Sequence, residues 1–178
     1  SAVLEKIDVE PSGDAFNEFS LDPETGRPSN PMINAGAIAA HALVRGDDAD
    51  ARVERIVDLY SRLAGRDLSI AEDVFASELS EADRNTALAY MLRTVNVLDT
   101  TAPDAVRGYT RQCAVSVTVR DLARMASVLA AGGVTSDGER VLEPDVNRQV
   151  LSVMTTCGMY DSAGDWITTV GIPAKSGV

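Results

Sequence analysis

The chain has 178 residues, of which 45% are hydrophobic, so its composition can support a core and argues against intrinsic disorder. A formal net charge of −11 opposes contact with phosphate backbones and anionic membrane surfaces, so we expect neither nucleic acid nor a membrane as a partner. The sequence has no run of about 20 apolar residues and no signal-peptide pattern. Its two cysteines, Cys113 and Cys157, lie far apart in the sequence. These features favour a reduced, cytoplasmic setting.

The N-terminal half of the sequence predicts irregular structure followed by helices. Residues 1–30 suggest irregular or strand-like backbone with a turn at "LDPETG" (21–26). A helix is predicted from Asn30, a good N-cap that is followed by proline, to Gly46. A second, amphipathic helix follows and is expected to end at Gly65.

The rest of the chain adds three predicted helices and a predicted strand. Capping-box patterns at 80–83 and 118–121, and a proline at position 144, each mark a helix start. The tail "DWITTVGIPAKSGV" (165–178) has strand character. The sequence therefore predicts a mostly helical α+β chain with minor β, in which short β segments flank a helical lobe.

Most familiar catalytic chemistries lack their residues in this sequence. His41 is the only histidine and lies in an apolar stretch that favours packing, so neither a Ser-His-Asp triad nor a zinc site can be assembled. Phosphate-binding glycine motifs are also absent. What remains is a Ser-Lys hydrolase, but no serine here is followed three residues later by the lysine of an S-x-x-K motif. Lys175 and Ser176 instead match the third motif of such enzymes.

Six stretches occur in the order seen in the serine-dependent glutaminases: "EPSGDAFN" (10–17), "NPMINAGAI" (30–38), "DRNTALAY" (83–90), "RDLARMASVLAAGGV" (120–134), "CGMYD" (157–161) and "VGIPAKSGV" (170–178). The chain resembles this penicillin-recognising-enzyme-like family from about residue 9 to its end. The resemblance implies part of the β-lactamase/transpeptidase-like fold, comprising the helical lobe and part of the sheet edge.

The resemblance also implies a reaction, the hydrolysis of L-glutamine to L-glutamate and ammonia through a serine acyl-enzyme, without a metal or other cofactor. Glu78 matches the glutamate that meets the substrate's α-ammonium group, and Tyr160 matches a substrate-contacting tyrosine that exchanges protons with the serine. Lys175 and Ser176 belong to the strand in which the backbone N–H of Val178 faces the substrate carbonyl. The other implied substrate contacts are Asn34, Asn85 and Tyr109.

Each of these residues, considered singly, also has a structural explanation. An acid at Glu78 would be favoured by the dipole of a helix that starts just after it. The asparagines could cap helices, and the tyrosines could simply pack. Two other functions therefore stay open: a non-catalytic amino-acid-binding or interaction module of the same fold, and a related penicillin-recognising serine hydrolase.

Two features of the family are missing from the 178 residues: the S-x-x-K motif and the glycine-rich continuation after "AKSGV". We therefore expect residues 1–178 to be one partial glutaminase domain that is inactive by itself. Family members commonly form homo-oligomers, so the resemblance implies a homo-oligomer for the full-length enzyme.

Overall fold

The structure, a computed structural model, describes residues 2–176, with side chains described for residues 3–176. In this range the chain forms nine α-helices and one short 3₁₀ helix, η1. In chain order these are α1 (Ala2–Lys6), α2 (Asn34–Ala42), α3 (Ala49–Ala64), α4 (Glu72–Ser80), α5 (Asp83–Thr94), α6 (Ala102–Cys113), α7 (Val119–Ala130), α8 (Pro144–Cys157), η1 (Tyr160–Ser162) and α9 (Ala163–Val170).

Several helix boundaries follow the local signals in the sequence. Helix α3 ends at Gly65, whose φ of 66° lies in the left-handed region that glycine adopts without a steric penalty. Thr118 and Asp121 form a reciprocal capping box at the start of α7. Pro144 is the first residue of α8, where its missing N–H has no intrahelical acceptor to lose. These three predictions are confirmed.

Two predicted helix starts are wrong. Ser80 is the last residue of α4, where its hydroxyl donates to the Ser77 carbonyl, and α5 begins at Asp83 without a side-chain cap. The Asn30 side chain accepts backbone N–H groups of residues 32 and 33, which makes a turn ahead of the helix. Helix α2 therefore begins at Asn34, one turn later than the sequence predicts.

The prediction of an α+β chain that carries part of a sheet edge is wrong for the described residues. They are 57% helical and 3% strand, and they form no sheet. Their β pairing is limited to three isolated bridges: Leu21 with Pro28, Ile70 with Val115 and Val134 with Arg140.

The predicted strand near the C-terminus is a helix instead. Residues 166–170 are rich in β-branched types, yet they belong to α9, and a left-handed glycine at 171 ends that helix. Since no described strand lies beside this segment, its backbone groups satisfy one another within a helix, and tertiary context overrides β propensity. At the N-terminus, part of the segment predicted to be irregular or strand-like forms the short helix α1.

A buried core lies among α2, α5 and α6, which pack against one another around it. Gly36 lets the preceding segment lie against α2, because a Cβ built on it would be 1.9 Å from the carbonyl oxygen of Asn30. None of the described helices combines the length and apolar character needed to cross a membrane. The core consists of Ile7, Ile33, Ala35, Ile38, Ala39, Ala82, Leu88, Ala89, Leu92, Val97, Leu98, Ala102, Ala105 and Val106.

Candidate active site

Three of the predicted site residues meet where α2, α5 and α6 converge. Asn34, the first residue of α2, donates through Nδ2 to Oδ1 of Asn85 over 3.0 Å. The Tyr109 hydroxyl donates to Oδ1 of the same Asn34 over 3.4 Å. All three side chains are half-buried. Residues separated by up to 75 positions in sequence therefore form one polar cluster on the edge of the core.

Two more predicted residues form a second polar pair. Lys175 donates through Nζ to the Tyr160 hydroxyl oxygen over 2.5 Å and to the Ser176 carbonyl over 2.6 Å. The Tyr160 ring packs against Phe16, with ring centroids 5.4 Å apart. The backbone N–H of Ser176 donates to the Gly158 carbonyl over 2.9 Å, which ties the extended segment to the end of α8.

Tyr160 also holds an uncommon backbone conformation. Its φ is 55°, in the left-handed region that costs a residue with a side chain about 1–2 kcal/mol. Such strain persists only where the surrounding structure maintains it, and strained residues concentrate at functional sites. Here the contacts with Phe16 and Lys175 hold the ring in place.

The two clusters border the same core, because Tyr109 and Tyr160 both pack against it. Burial raises the pKa of Tyr109 far above its ordinary value, and the neighbouring Cys113 and Tyr160 raise it further. Cys113 lies one turn after Tyr109 on α6, so both occupy the same face of that helix. Desolvation by the surrounding protein raises the pKa of the Cys113 thiol, although its side chain is exposed; the hydrogen bond to Tyr109 and the charge of Lys175 lower it.

Glu78 lies at the rim of the same region. Helix α4, which carries Glu78, packs against α6, and the Glu78 charge adds to the rise in the pKa of the Cys113 thiol. The residue is exposed and lies in the last turn of α4, so the helix-dipole explanation from the sequence is wrong. A carboxylate near a helix C-terminus is disfavoured by about 0.3–1 kcal/mol. Among the described residues, no cation comes within 4.0 Å of it.

Comparison with known proteins assigns the chain to a family. A sequence model described as Glutaminase matches residues 1–178. The chain belongs to the glutaminase family. It is 52% identical to a glutaminase of Corynebacterium efficiens and 54% identical to one of Corynebacterium glutamicum, each match covering 99% of this chain. The chain spans 42% and 43% of those two glutaminases, which is less than half of their length.

Two solved structures have the same backbone arrangement. A Bacillus subtilis probable glutaminase matches with a TM-score of 0.95 at 39% identity, covering 98% of this chain and 57% of the other. The protein called Mglu, in its glutamate form, matches with a TM-score of 0.94 at 51% identity, covering 99% of this chain and 41% of the other. The described backbone is thus shared with these longer chains.

Not every residue that the glutaminase resemblance predicts can be placed. The structure brings together Asn34, Asn85 and Tyr109, with Tyr160 and Lys175 beside them. The predicted backbone donor Val178 lies outside the described residues. No group of three or more His, Cys, Asp or Glu side chains within residues 2–176 could hold a metal ion.

Several parts of the candidate site were not predicted from the sequence, and helix α4, which carries Glu78, is one of them. Helix α6, which carries Tyr109, was not predicted, although Thr101 caps it by accepting the Asp104 N–H over 3.2 Å, and a proline stands in its first turn. That Thr-x-x-Asp pattern was available as a signal. Phe16, which packs on Tyr160, lies in the "EPSGDAFN" stretch but carries no polar group that would mark it as a site residue.

Proposed function

We propose that this chain carries the substrate-binding part of a glutaminase that hydrolyses L-glutamine to L-glutamate and ammonia. The supporting observation is the convergence of Asn34, Asn85 and Tyr109 from three helices, beside the Tyr160–Lys175 pair. Membership of the glutaminase family favours this reaction over that of a related penicillin-recognising hydrolase. We also propose that the full-length enzyme is cytoplasmic and homo-oligomeric, and that its partners include neither a membrane nor nucleic acid.

The residue types suit a free amino acid. Its ammonium and carboxylate groups both need partners once water is removed from them. Glu78 is the carboxylate proposed to pair with the α-ammonium group, and it has no competing ion pair among the described residues. Asn34 and Asn85 stand in the first turns of α2 and α5, where the helix dipoles favour the negative charge of the α-carboxylate. The Tyr109 hydroxyl supplies a neutral donor beside them.

The proposed chemistry proceeds through a serine acyl-enzyme. The serine oxygen attacks the side-chain amide carbon, the amide nitrogen gains a proton and leaves as ammonia, and water then hydrolyses the ester. Tyr160 is assigned the proton exchange with the serine, and Lys175 holds its hydroxyl in place. The S-x-x-K serine is not among the 178 residues, and the N–H of Val178 is proposed to face the substrate carbonyl oxygen.

Glutamate release from L-glutamine, combined with binding of L-glutamate by calorimetry, tests this function. The 178-residue chain is compared with a version extended at both ends by the sequence that flanks it in its gene. We expect activity only in the extended version. Release of glutamate by the 178-residue chain would contradict the assignment of the nucleophile. Binding without activity in either version would favour the amino-acid-binding module, and absence of both from folded protein would overturn the proposal.

A further inference from the structure

The buried His41 takes no part in the reaction proposed above, yet it connects two helices of the site. Its side chain is 2% exposed and lies in the last turn of α2. Nδ1 is 2.7 Å from Oε1 of Gln112 on α6. The other ring nitrogen, Nε2, has no hydrogen-bond partner among the described residues. A buried nitrogen without a partner is costly, so its surroundings decide which tautomer the ring adopts.

Gly108 of α6 supplies those surroundings. A Cβ built on Gly108 would lie 2.1 Å from Nε2 of His41. The Cα–H bond that a side chain would replace therefore points at this nitrogen. A C–H group is a weak donor and is compatible with a lone pair, whereas it repels an N–H bond. It follows that Nε2 bears the lone pair and that Nδ1–H donates to Gln112.

We propose that His41, held as the neutral Nδ1–H tautomer, is a positioning residue that sets α6 against α2. Asn34 opens α2 and Tyr109 directly follows Gly108 on α6, so the same pair of helices carries the Asn34–Tyr109 contact. That contact spans 3.4 Å, near the limit for a hydrogen bond, so a small displacement of α6 alters it. The importance of this contact for substrate rests on the proposed glutaminase function.

Burial of the His41 ring favours its neutral form. Burial lowers the pKa of His41, and the nearby Arg52 of α3 lowers it further, while Gln112 and Asp104 of α6 act in the opposite direction. Because the folded value lies below the unfolded one, the folded chain binds fewer protons. The contribution of His41 to stability is therefore present above the ordinary histidine pKa of about 6.5 and is lost as the pH falls below it.

The first test is ¹⁵N NMR of the imidazole in the 178-residue chain. His41 is the only histidine, so the spectrum reports one ring without assignment variants. We expect the proton on Nδ1 from pH 8 down to the onset of protonation. A proton on Nε2 would overturn the proposal. This measurement does not depend on glutamine, so it separates a failure of the His41 proposal from a failure of the proposed function.

The second test compares His41→Asn with His41→Leu. The asparagine amide can replace the Nδ1–H donor, whereas leucine has similar bulk and no donor. We expect leucine to weaken L-glutamate binding at least about fivefold and asparagine to stay within about twofold of the original chain, as one hydrogen bond allows. The alkylation rate of Cys113, which follows Gln112, should change only in the leucine variant. Equal alkylation rates in the two variants would overturn the positioning role, and so would equal glutamate affinities when the original chain binds glutamate.

Discussion

At the scale of the residue, a substitution at Asn85 can distinguish a substrate-binding site from a packing contact. Asn85 receives a hydrogen bond from Asn34 over 3.0 Å, and both side chains are half-buried. An aspartate at position 85 would keep the accepting oxygen and add a negative charge. The change therefore preserves the internal contact while opposing any anion that binds there.

We expect Asn85→Asp to weaken L-glutamate binding more than about tenfold, because two carboxylates then face each other in a partly desolvated site. The melting temperature should change little, since the Asn34 amide keeps its acceptor. Calorimetry and thermal unfolding of the same preparation measure the two effects. Asn85→Ala is the neutral control and should weaken binding less. Equal losses in both variants would contradict a site for the substrate carboxylate.

At the scale of the element, the Asp121 carboxylate caps the start of α7 and also forms an ion pair with another helix end. Asp121 accepts the Thr118 backbone N–H over 2.8 Å, which completes the capping box. It also forms a two-point ion pair with Arg66, at 2.9 and 2.5 Å. Arg66 directly follows the glycine that ends α3, so Asp121 joins the end of one helix to the start of another.

Asp121→Asn should lower the melting temperature at pH 7, because the amide retains an acceptor but loses the charge. The hydrogen bonds from Arg66 and Thr118 hold the pKa of Asp121 well below its usual range. The folded pKa is thus depressed, and the stabilisation is present above the ordinary aspartate pKa of about 3.9 and is lost as the pH falls below it. The gap between the two chains should narrow when melting is followed from pH 7 towards pH 3. A constant gap would show that the charge is not responsible.

The sequence was informative about elements wherever a local signal determines the backbone. Gly65, the capping box of α7 and Pro144 each act through their own or adjacent residues, so they were predictable. Helix α9 was not, because β-branched residues form strands only when a neighbouring strand is present to pair with them. The wrong start at Ser80 has a similar cause, since its hydroxyl bonds backward within α4.

The residues of the candidate site were predicted from the family resemblance and not from periodicity. Nothing in the spacing of Asn34, Asn85 and Tyr109 indicates that their side chains touch, because three helices must first pack. Glu78 was predicted to precede a helix start, but it lies in the last turn of α4. The sequence does not indicate where that helix stops. The close approach of Gly108 to His41 could not be predicted either, because two helices in close contact leave no sequence pattern beyond the glycine itself.

At the scale of the whole molecule, the question is whether α8 and α9 unfold together with the core. The buried Cys157 ends α8 and reaches back towards the N-terminal segment, with its sulfur 3.7 Å from the Val9 carbonyl. Asn147 of α8 donates to the Leu129 carbonyl of α7 over 3.0 Å. These contacts connect the C-terminal helices to the remainder of the chain.

We expect Cys157 to be alkylated only at the rate of global unfolding, because its thiol is 2% exposed and lies between segments that must separate first. Iodoacetamide labelling followed by mass spectrometry measures this rate against unfolding monitored by circular dichroism. Cys113 is exposed and should react in the native state, so Cys113→Ser isolates the slow thiol. Faster labelling of Cys157 than unfolding would reveal that α8 and α9 open independently.

The contact of Lys175 with Tyr160 also makes the site selectively visible to amine chemistry. Among 16 basic residues only Lys6 and Lys175 are lysines, and the others are arginines. Reductive methylation with ¹³C-formaldehyde would therefore introduce just two side-chain dimethylamino groups. One of them would sit 4.8 Å from the centre of the Tyr160 ring, where the ring current shifts its resonance. A spectroscopic reporter can thus be placed at the site without any engineered substitution.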